Sequence, residues 1–193
     1  ANSCVTSIVV AVSEPASPLT VSYFTTPASC YGYADGTVLL NITGGAPAYD
    51  ILWSSGDTTN FIDSLLAGTY SAQITDANGC EAIVNVIISQ PQALIADFNI
   101  DATFGCAPLT VNLLNTSVGA IASSTWNFGN GSVSTGTNAS YTYTQGGCYG
   151  ISLTVMSPTG CLATTSIDSL VCVVTGPTAG FAATTSDIDF YTG

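Results

Sequence analysis

Residues 77–106 shadow residues 1–30. Cys4, Pro15 and Cys30 recur as Cys80, Pro91 and Cys106, all at one constant offset. An internal echo of this kind constrains the fold before any single segment is read, because each repeat must be one foldable unit with copies as neighbours. The units are β. VTSIVVAV, TVLLNIT, TYSAQIT, AIVNVII, LTVNLL, SYTYT and ISLTVM alternate apolar and polar residues, the period of a strand with one buried face. Clusters of Gly, Pro, Asn and Asp separate them. No stretch carries a sustained helical repeat, although FIDSLLAG has the composition of a single helical turn. The expected fold is all-β: tandem β-sandwich modules arranged as beads on a string.

A proline follows a strand-like run three times, in SEPASP (13–18), SQPQA (89–93) and TGPTA (175–179). These places mark the expected boundaries. Residues 1–16 read as the last strand or strands of a preceding repeat and 17–91 as one complete sandwich. Residues 92–176 read as a second sandwich, and 177–193 as the start of a following module. ANSC then reads as the closing hairpin of the preceding repeat, and the chain as a window cut from a longer array.

Charge excludes whole classes of function. The chain has 12 acids and no Lys, Arg or His, for a formal net charge of -12. Polyanion binding needs cations to displace counterions, so nucleic acid is excluded as a partner, and anionic membrane surfaces with it. General-base chemistry loses histidine. No Lys or Arg can pair with a carboxylate, and a protease that cuts after Lys or Arg finds no site. Apolar residues make up 47% of the chain, which argues against disorder. No apolar run has the length of a membrane span, so this segment is not expected to insert into a bilayer. The seven cysteines show no C-x-x-C spacing and fit disulfides in an oxidising, extracellular setting better than zinc.

The stretch CYGYADGTVLLNITGGAPAYDILWSSGDTTNFIDSLLAGTYSAQITDANGC, residues 30–80, resembles a SprB-type repeat of Bacteroidetes surface adhesins. It carries, in order, D-G, G-G-x-P-x-Y-x-x-x-W, L-x-A-G-x-Y and D-x-N-G-C. The second module, with FGCAPLTVNLLNTS, WNFGNG, SYTYTQGGCYGISLTV and TGC, resembles a polycystic-kidney-disease (PKD) domain. The usual W-x-F-G-D-G of that family has Asn130 in place of its Asp. PTAGFAATTSDIDFYTG is similar to the opening strands of another PKD module. The resemblance implies Ig-like sandwiches in a large exported cell-surface protein, of the kind often secreted by the type IX system. It implies adhesive or spacer roles.

In TDANGC and MSPTGC a tight turn precedes Gly79 or Gly160, and Asp76 is placed to accept hydrogen bonds from the turn backbone. Trp53 and Trp126 are expected as core anchors rather than glycan platforms. Tyr70 and Tyr149 stand at equivalent strand starts, where a tyrosine corner forms. Each module has one cysteine before its supposed first strand and one at its last hairpin, which pairs Cys30 with Cys80 and Cys106 with Cys161. Cys148 and Cys172 flank that hairpin symmetrically and are expected to bridge paired strands. Cys4 is left over, with its partner expected outside the chain.

Three segments match the D-[S/T]-x pattern of Bacteroidetes O-glycosylation, with acceptors Thr58, Ser64 and Ser169. The N-x-[S/T] sites at Asn41, Asn115, Asn130 and Asn138 are assigned to chance composition. The acids are scattered, with Asp187 and Asp189 forming a single D-x-D, so no cofactor or built metal site is expected, only diffuse or weak Ca2+ binding. Asp35, Asp50, Asp57 and Asp63 fall at turns or alternating strand positions and do not make a carboxylate pair for glycoside hydrolysis. The expectation is a non-catalytic structural and adhesive section of an extracellular bacterial surface protein, forming a disulfide-stapled rod or fibre. Its partners would be neighbouring modules, other copies of itself in a fibre, or surface glycans. The competing reading is a set of accessory carbohydrate-binding or spacer modules of a secreted polysaccharide-degrading enzyme.

Overall fold

The computed structural model describes Ile8 and residues 17–176, all of whose regular structure is β. Two compact units divide between Ala93 and Leu94. The flanking segments expected at 1–16 and 177–193, with Cys4 and the Asp187/Asp189 pair, lie outside the described residues apart from Ile8.

Among its described residues the first unit has six strands: β1 Thr20–Thr26, β2 Gly36–Thr43, β3 Tyr49–Trp53, β4 Phe61–Leu65, β5 Gly68–Asp76 and β6 Glu81–Ile88. They form two antiparallel sheets, ordered β1-β2-β4 and β3-β5-β6. Alternation decides which side chains enter the core. Along β5, Ala72, Ile74 and Asp76 are buried, and Gln73 and Thr75 between them are not. Val38, Leu40, Ile62 and Leu65 from one sheet pack with Trp53, Ala72, Ile74, Val86 and Ile88 from the other. A shared core of this kind makes the pair a sandwich.

The segment FIDSLLAG does not make a helical turn; Phe61–Leu65 is β4. Ile62 and Leu65 are both buried, and their three-residue spacing imitates a helix. A bulge produces it. The β2–β4 register shifts between Gly36 and Val38, and Ser64 takes φ 56. One extra residue on β4 lets two apolar side chains face inward at a spacing a regular strand would not allow.

The second unit has β7 Phe98–Ile100, β8 Phe104–Cys106, β9 Leu109–Asn115, β10 Ser123–Asn127, β11 Val133–Thr135, β12 Ala139–Tyr143, β13 Gly147–Met156 and β14 Leu162–Val174. One sheet is ordered β11-β10-β13-β14-β8 and the other β12-β9-β7. All pairs are antiparallel except β14–β8, which is parallel. Trp126, Phe128, Tyr143, Ile151, Leu153, Val155 and Val171 are at most 1% exposed in one cluster.

Each tryptophan is buried with its indole N–H satisfied. Trp53 Nε1 donates to the Thr59 carbonyl at 2.9 Å, and Trp126 Nε1 to Gly136 at 3.1 Å. Tyr70 and Tyr149 each donate to a carbonyl four residues upstream, Leu66 and Gln145, at 3.0 Å. That link fastens each strand start to the loop before it.

Candidate functional site

The chemistry of this chain gathers at the ends of its sandwiches. The β5–β6 hairpin is built on Asp76, whose carboxylate accepts from the Ala46, Asn78 and Cys80 amides at 2.9, 2.9 and 2.8 Å. Those N–H donors, Ala46 first, hold its carboxyl below the ordinary carboxylate range, because they favour the charged form. Gly45 is part of the arrangement. A Cβ there would stand 2.7 Å from Asp76 Oδ2, and the residue has φ +64. A side chain would push the carboxylate off its donors.

The β13–β14 hairpin repeats this turn with a neutral residue. Ser157 takes the place of Asp76: its hydroxyl accepts from the Cys161 amide at 3.0 Å, and its own amide donates to the Cys161 carbonyl at 2.8 Å. In the first hairpin the Asp76 amide donates to the Cys80 carbonyl at 2.9 Å. Gly79 and Gly160 carry the left-handed conformation at φ 81 and 87, so Cys80 and Cys161 leave the two turns in the same way.

Cys148 and Cys172 are directly opposite on β13 and β14, with Cα atoms 4.1 Å apart, and are joined by a disulfide. The other two expected pairings do not form. Cys80 and Cys106 are free, exposed thiols, whereas Cys30 and Cys161 are disulfide-bonded. The reason is polarity within each sandwich. Cys30 follows β1, and the Ala28 amide beside it donates to the Ser89 carbonyl just beyond β6. Cys80 precedes β6, so the 8 residues of that strand put the two about 26 Å apart at ~3.3 Å per residue. Cys106 is partnered with Val174, the last residue of β14, while Cys161 immediately precedes that 13-residue strand. That separation is about 40 Å. A disulfide spans Cα atoms no more than ~7 Å apart.

Asn130 in the WNFGNG loop accepts from the Ser132 amide at 3.1 Å and donates its Nδ2 to the Tyr141 hydroxyl at 2.8 Å. An aspartate could accept in the first bond and could not donate in the second. Hydrogen bonds from Ser132 and then Asn130 lower the Tyr141 phenol pKa. Tyr141 stacks on Phe128 at 4.4 Å and meets Tyr143 edge-on at 4.9 Å. Burial, then the neighbouring Tyr141 and Tyr149, push Tyr143 up to about 12, and its hydroxyl donates to the Phe128 carbonyl at 2.8 Å. The cluster packs the WNFGNG loop, through Phe128 and Asn130, against Tyr141 on β12.

Thr58, Ser64 and Ser169 are all exposed. Thr58 lies in the β3–β4 loop. Ser64 and Ser169 share a conformation that sequence gave no sign of, φ 56 and 52. Each sits at a bulge, since the β13–β14 register also shifts opposite Ser169, between Tyr149 and Ile151. Both DSL serines thus share a positive φ at a bulge, with one extra residue on β4 and two on β14.

Of the four carboxylates weighed for catalysis, Asp35 accepts from the Ser29 amide at 2.9 Å and from the Ser29 hydroxyl. Asp57 and Asp63 bond to Ser55 and Ser64 at 2.7 and 3.0 Å, and Asp50 is exposed on β3. None of these contacts joins one carboxylate to another. Among the described residues no group of three or more His, Cys, Asp and Glu side chains could hold a metal ion. No helix among them is long and apolar enough to cross a membrane.

One open groove crosses the β7-β9-β12 sheet, lined by Asn99, Asp101, Asn112, Leu114, Asn138 and Ser140. Inside it Asn112 donates twice to Asp101, from its amide and from Nδ2, each at 2.7 Å. The Asn112 amide is the larger cause of the lowered Asp101 pKa. Sequence reading missed this groove, because its residues are spread over three strands and only the pairing brings them together.

Two outcomes follow from this geometry. Asp76 has a lowered pKa in the fold, so its stabilisation is present above its unfolded pKa and is lost as pH falls through the folded one. Asp76→Asn is expected to be less stable than the parent at neutral pH, with the difference closing between about pH 5 and pH 1. Denaturant unfolding across that range measures it, and a pH-independent difference would contradict the assignment. Replacing both Cys148 and Cys172 by Ala is expected to lower the stability of the second sandwich by about 3 kcal/mol, read from the same unfolding curves.

Comparison with known proteins places the two sandwiches. A PKD domain model matches residues 88–172, and a SprB repeat model matches residues 22–58. The chain is similar to the PKD1 domain of the Vibrio cholerae metalloprotease PrtV, with 32% identity over 42% of this chain and 99% of that one, TM-score 0.37. It is similar to the PKD1 domain of Vibrio anguillarum Epp, with 33% identity over 44% and 100% and TM-score 0.38. The three N-terminal domains of the bacteriophage RB49 outer capsid protein Hoc align at 15% identity over 82% of this chain and 59% of that one, TM-score 0.45. No curated protein matches the chain. Both matched modules are non-catalytic types typical of extracellular and cell-surface proteins, and they occur within some enzymes as well. The two matches come in the order SprB repeat, then PKD domain, and the second module of the chain belongs to the PKD family.

Proposed function

We propose that this chain is a structural and adhesive section of a large secreted bacterial surface protein, carried out of the cell by type IX secretion and displayed as a stapled rod or fibre. The observation that carries this reading is the SprB-then-PKD order on two separate sandwiches. Its neighbouring modules, other copies of the chain and surface glycans are the partners it would meet there. A surface without cations keeps such a chain from binding anionic lipid and nucleic acid in its surroundings, and the missing Lys and Arg deny trypsin-like proteases a cleavage site. An antibody against residues 17–176 is expected to label intact, unpermeabilised cells that make the protein. Label appearing only after permeabilisation would overturn the reading.

The exposed bulges at Ser64 and Ser169 and the exposed loop at Thr58 support O-glycosylation of the native material. Intact mass of protein taken from its source is expected to exceed the polypeptide mass, with the excess mapping to these three residues. A mass equal to the bare chain would remove the idea.

The groove on β7-β9-β12 favours one second reading. Its amide, hydroxyl and carboxylate groups beside Leu114 suit a polysaccharide, as an accessory module of a secreted hydrolase would need. Co-sedimentation with insoluble polysaccharides, lost in Asn112→Ala, would support that alternative over the rod.

A further inference from the structure

Among the described residues, the cysteines other than Cys148 and Cys172 fall into two structural classes. Cys80 and Cys161 are tip cysteines, leaving the same hairpin turn with the same backbone bonds to Asp76 and Ser157. Cys30 and Cys106 are end cysteines. They occupy equivalent places in the repeated sequence, and each lies beside the end of its sandwich's last strand. The Ala28 amide donates to Ser89 beyond β6, and the Ala107 amide to Val174 at the end of β14. In each class one member is disulfide-bonded, Cys161 and Cys30, and the other is an exposed free thiol, Cys80 and Cys106.

Neither free thiol has a usable partner on its own sandwich among the described residues. Cys80 and Cys30 stand a whole strand apart, as do Cys106 and Cys161. Cys106 lies two positions along from Phe104, the partner of Cys172, but Cys172 is already bonded to Cys148. A partner must come from another module. The tip carries Asp76 and Glu81 around Cys80, so two tips repel each other. The residues flanking Cys106, from Thr103 to Leu109, carry no charge. Tip against end is the pairing without like-charge repulsion.

We propose that Cys80 and Cys106 are complementary halves of a disulfide joining Ig-like modules tip to end, the partner being a sandwich of another copy of this chain. The proposal rests on the extracellular reading above and names what would lengthen the rod. Two thiols lose two protons and two electrons to form the S–S bond. The electrons reduce a disulfide oxidant, such as glutathione disulfide or a disulfide oxidoreductase, to its two thiols.

The test uses the full chain in a glutathione redox buffer, read on non-reducing gels and by chymotryptic peptide mapping. The wild type is expected to give a ladder of linked multimers whose cross-linked peptides contain Cys80 and Cys106. Cys80→Ser and Cys106→Ser are each expected to stop the ladder. Mixed together, they should give a linked dimer exceeding that of either variant alone by about ten-fold, the excess that a pairing preference of ~1.4 kcal/mol supplies. No excess in the mixture, a Cys80–Cys106 link within one chain, or exchange of Cys106 into the Cys148–Cys172 bond would each overturn the proposal. The wild-type peptide map decides the matter even if a variant folds poorly. Because the chain is tested in isolation, monomers would leave its surface location untouched, and a location found to be wrong would leave this result standing.

Discussion

Without a cation of its own, this chain must satisfy its carboxylates with backbone N–H groups and hydroxyls, and that requirement shapes both sandwiches. Asp76 collects three amides at the hairpin tip. Asp35 holds the Ser29 amide, Asp97 accepts from Phe98 at 2.9 Å, and Asp101 takes two bonds from Asn112. A carboxylate bound this way organises a turn, which is why these four acids sit where strands begin and end. The interiors are left to apolar packing around Trp53 and Trp126, with indole N–H groups closed onto carbonyls. Ordinary domains share this work with Arg and Lys, whose long side chains also cover apolar surface. Here exposed Phe24, Leu39 and Phe61 lie side by side across β1, β2 and β4 with no such cover.

Most of the architecture was legible in the sequence because alternation is a direct imprint of burial. Ile151, Leu153 and Val155 face inward, with Ser152 and Thr154 between them turned away. The Cys148–Cys172 link was legible for a similar reason: equal spacing from a hairpin turn places two residues opposite each other. The Cys30–Cys80 and Cys106–Cys161 pairings fail because strands go uncounted. TVSYFTT is not among the alternating segments, so spacing alone puts Cys30 ahead of the first strand, whereas it follows β1. One added strand moves a residue to the opposite end of a sandwich. In the second unit the short β7 and β8 have the same effect on Cys106. Sequence spacing measures distance along the chain, and an antiparallel fold turns that into a choice of end only when every strand has been counted.

The bulges were illegible for a different reason. Ile62 and Leu65 both face the core at a spacing that suggests a helix, and nothing local in DSL separates the two explanations. The second DSL settles it by comparison, since Ser64 and Ser169 adopt one conformation on different strands. Each tripeptide places an acid, then an outward serine, then an apolar residue turned back toward the fold. The serine is therefore the residue that such a bulge presents to solvent.

Edge strands show how far an all-acidic chain can protect itself. Proteins commonly blunt open edges with lysine, with inward charges or with bulges, and the first of these is denied here. In the first sandwich β3 carries Asp50, β6 begins with Glu81, and β4 has both Asp63 and its bulge. The remaining edge, β1, has no charge in TVSYFTT and leaves Tyr23 and Phe24 exposed. Its defence has to come from the molecule as a whole. With a net charge of -12, two copies repel before their edges meet, and that repulsion weakens as salt shortens its range. For the fibre proposed above, a covalent bond at a few fixed points would serve better than edge pairing, because bare β1 edges would pair without choosing a partner.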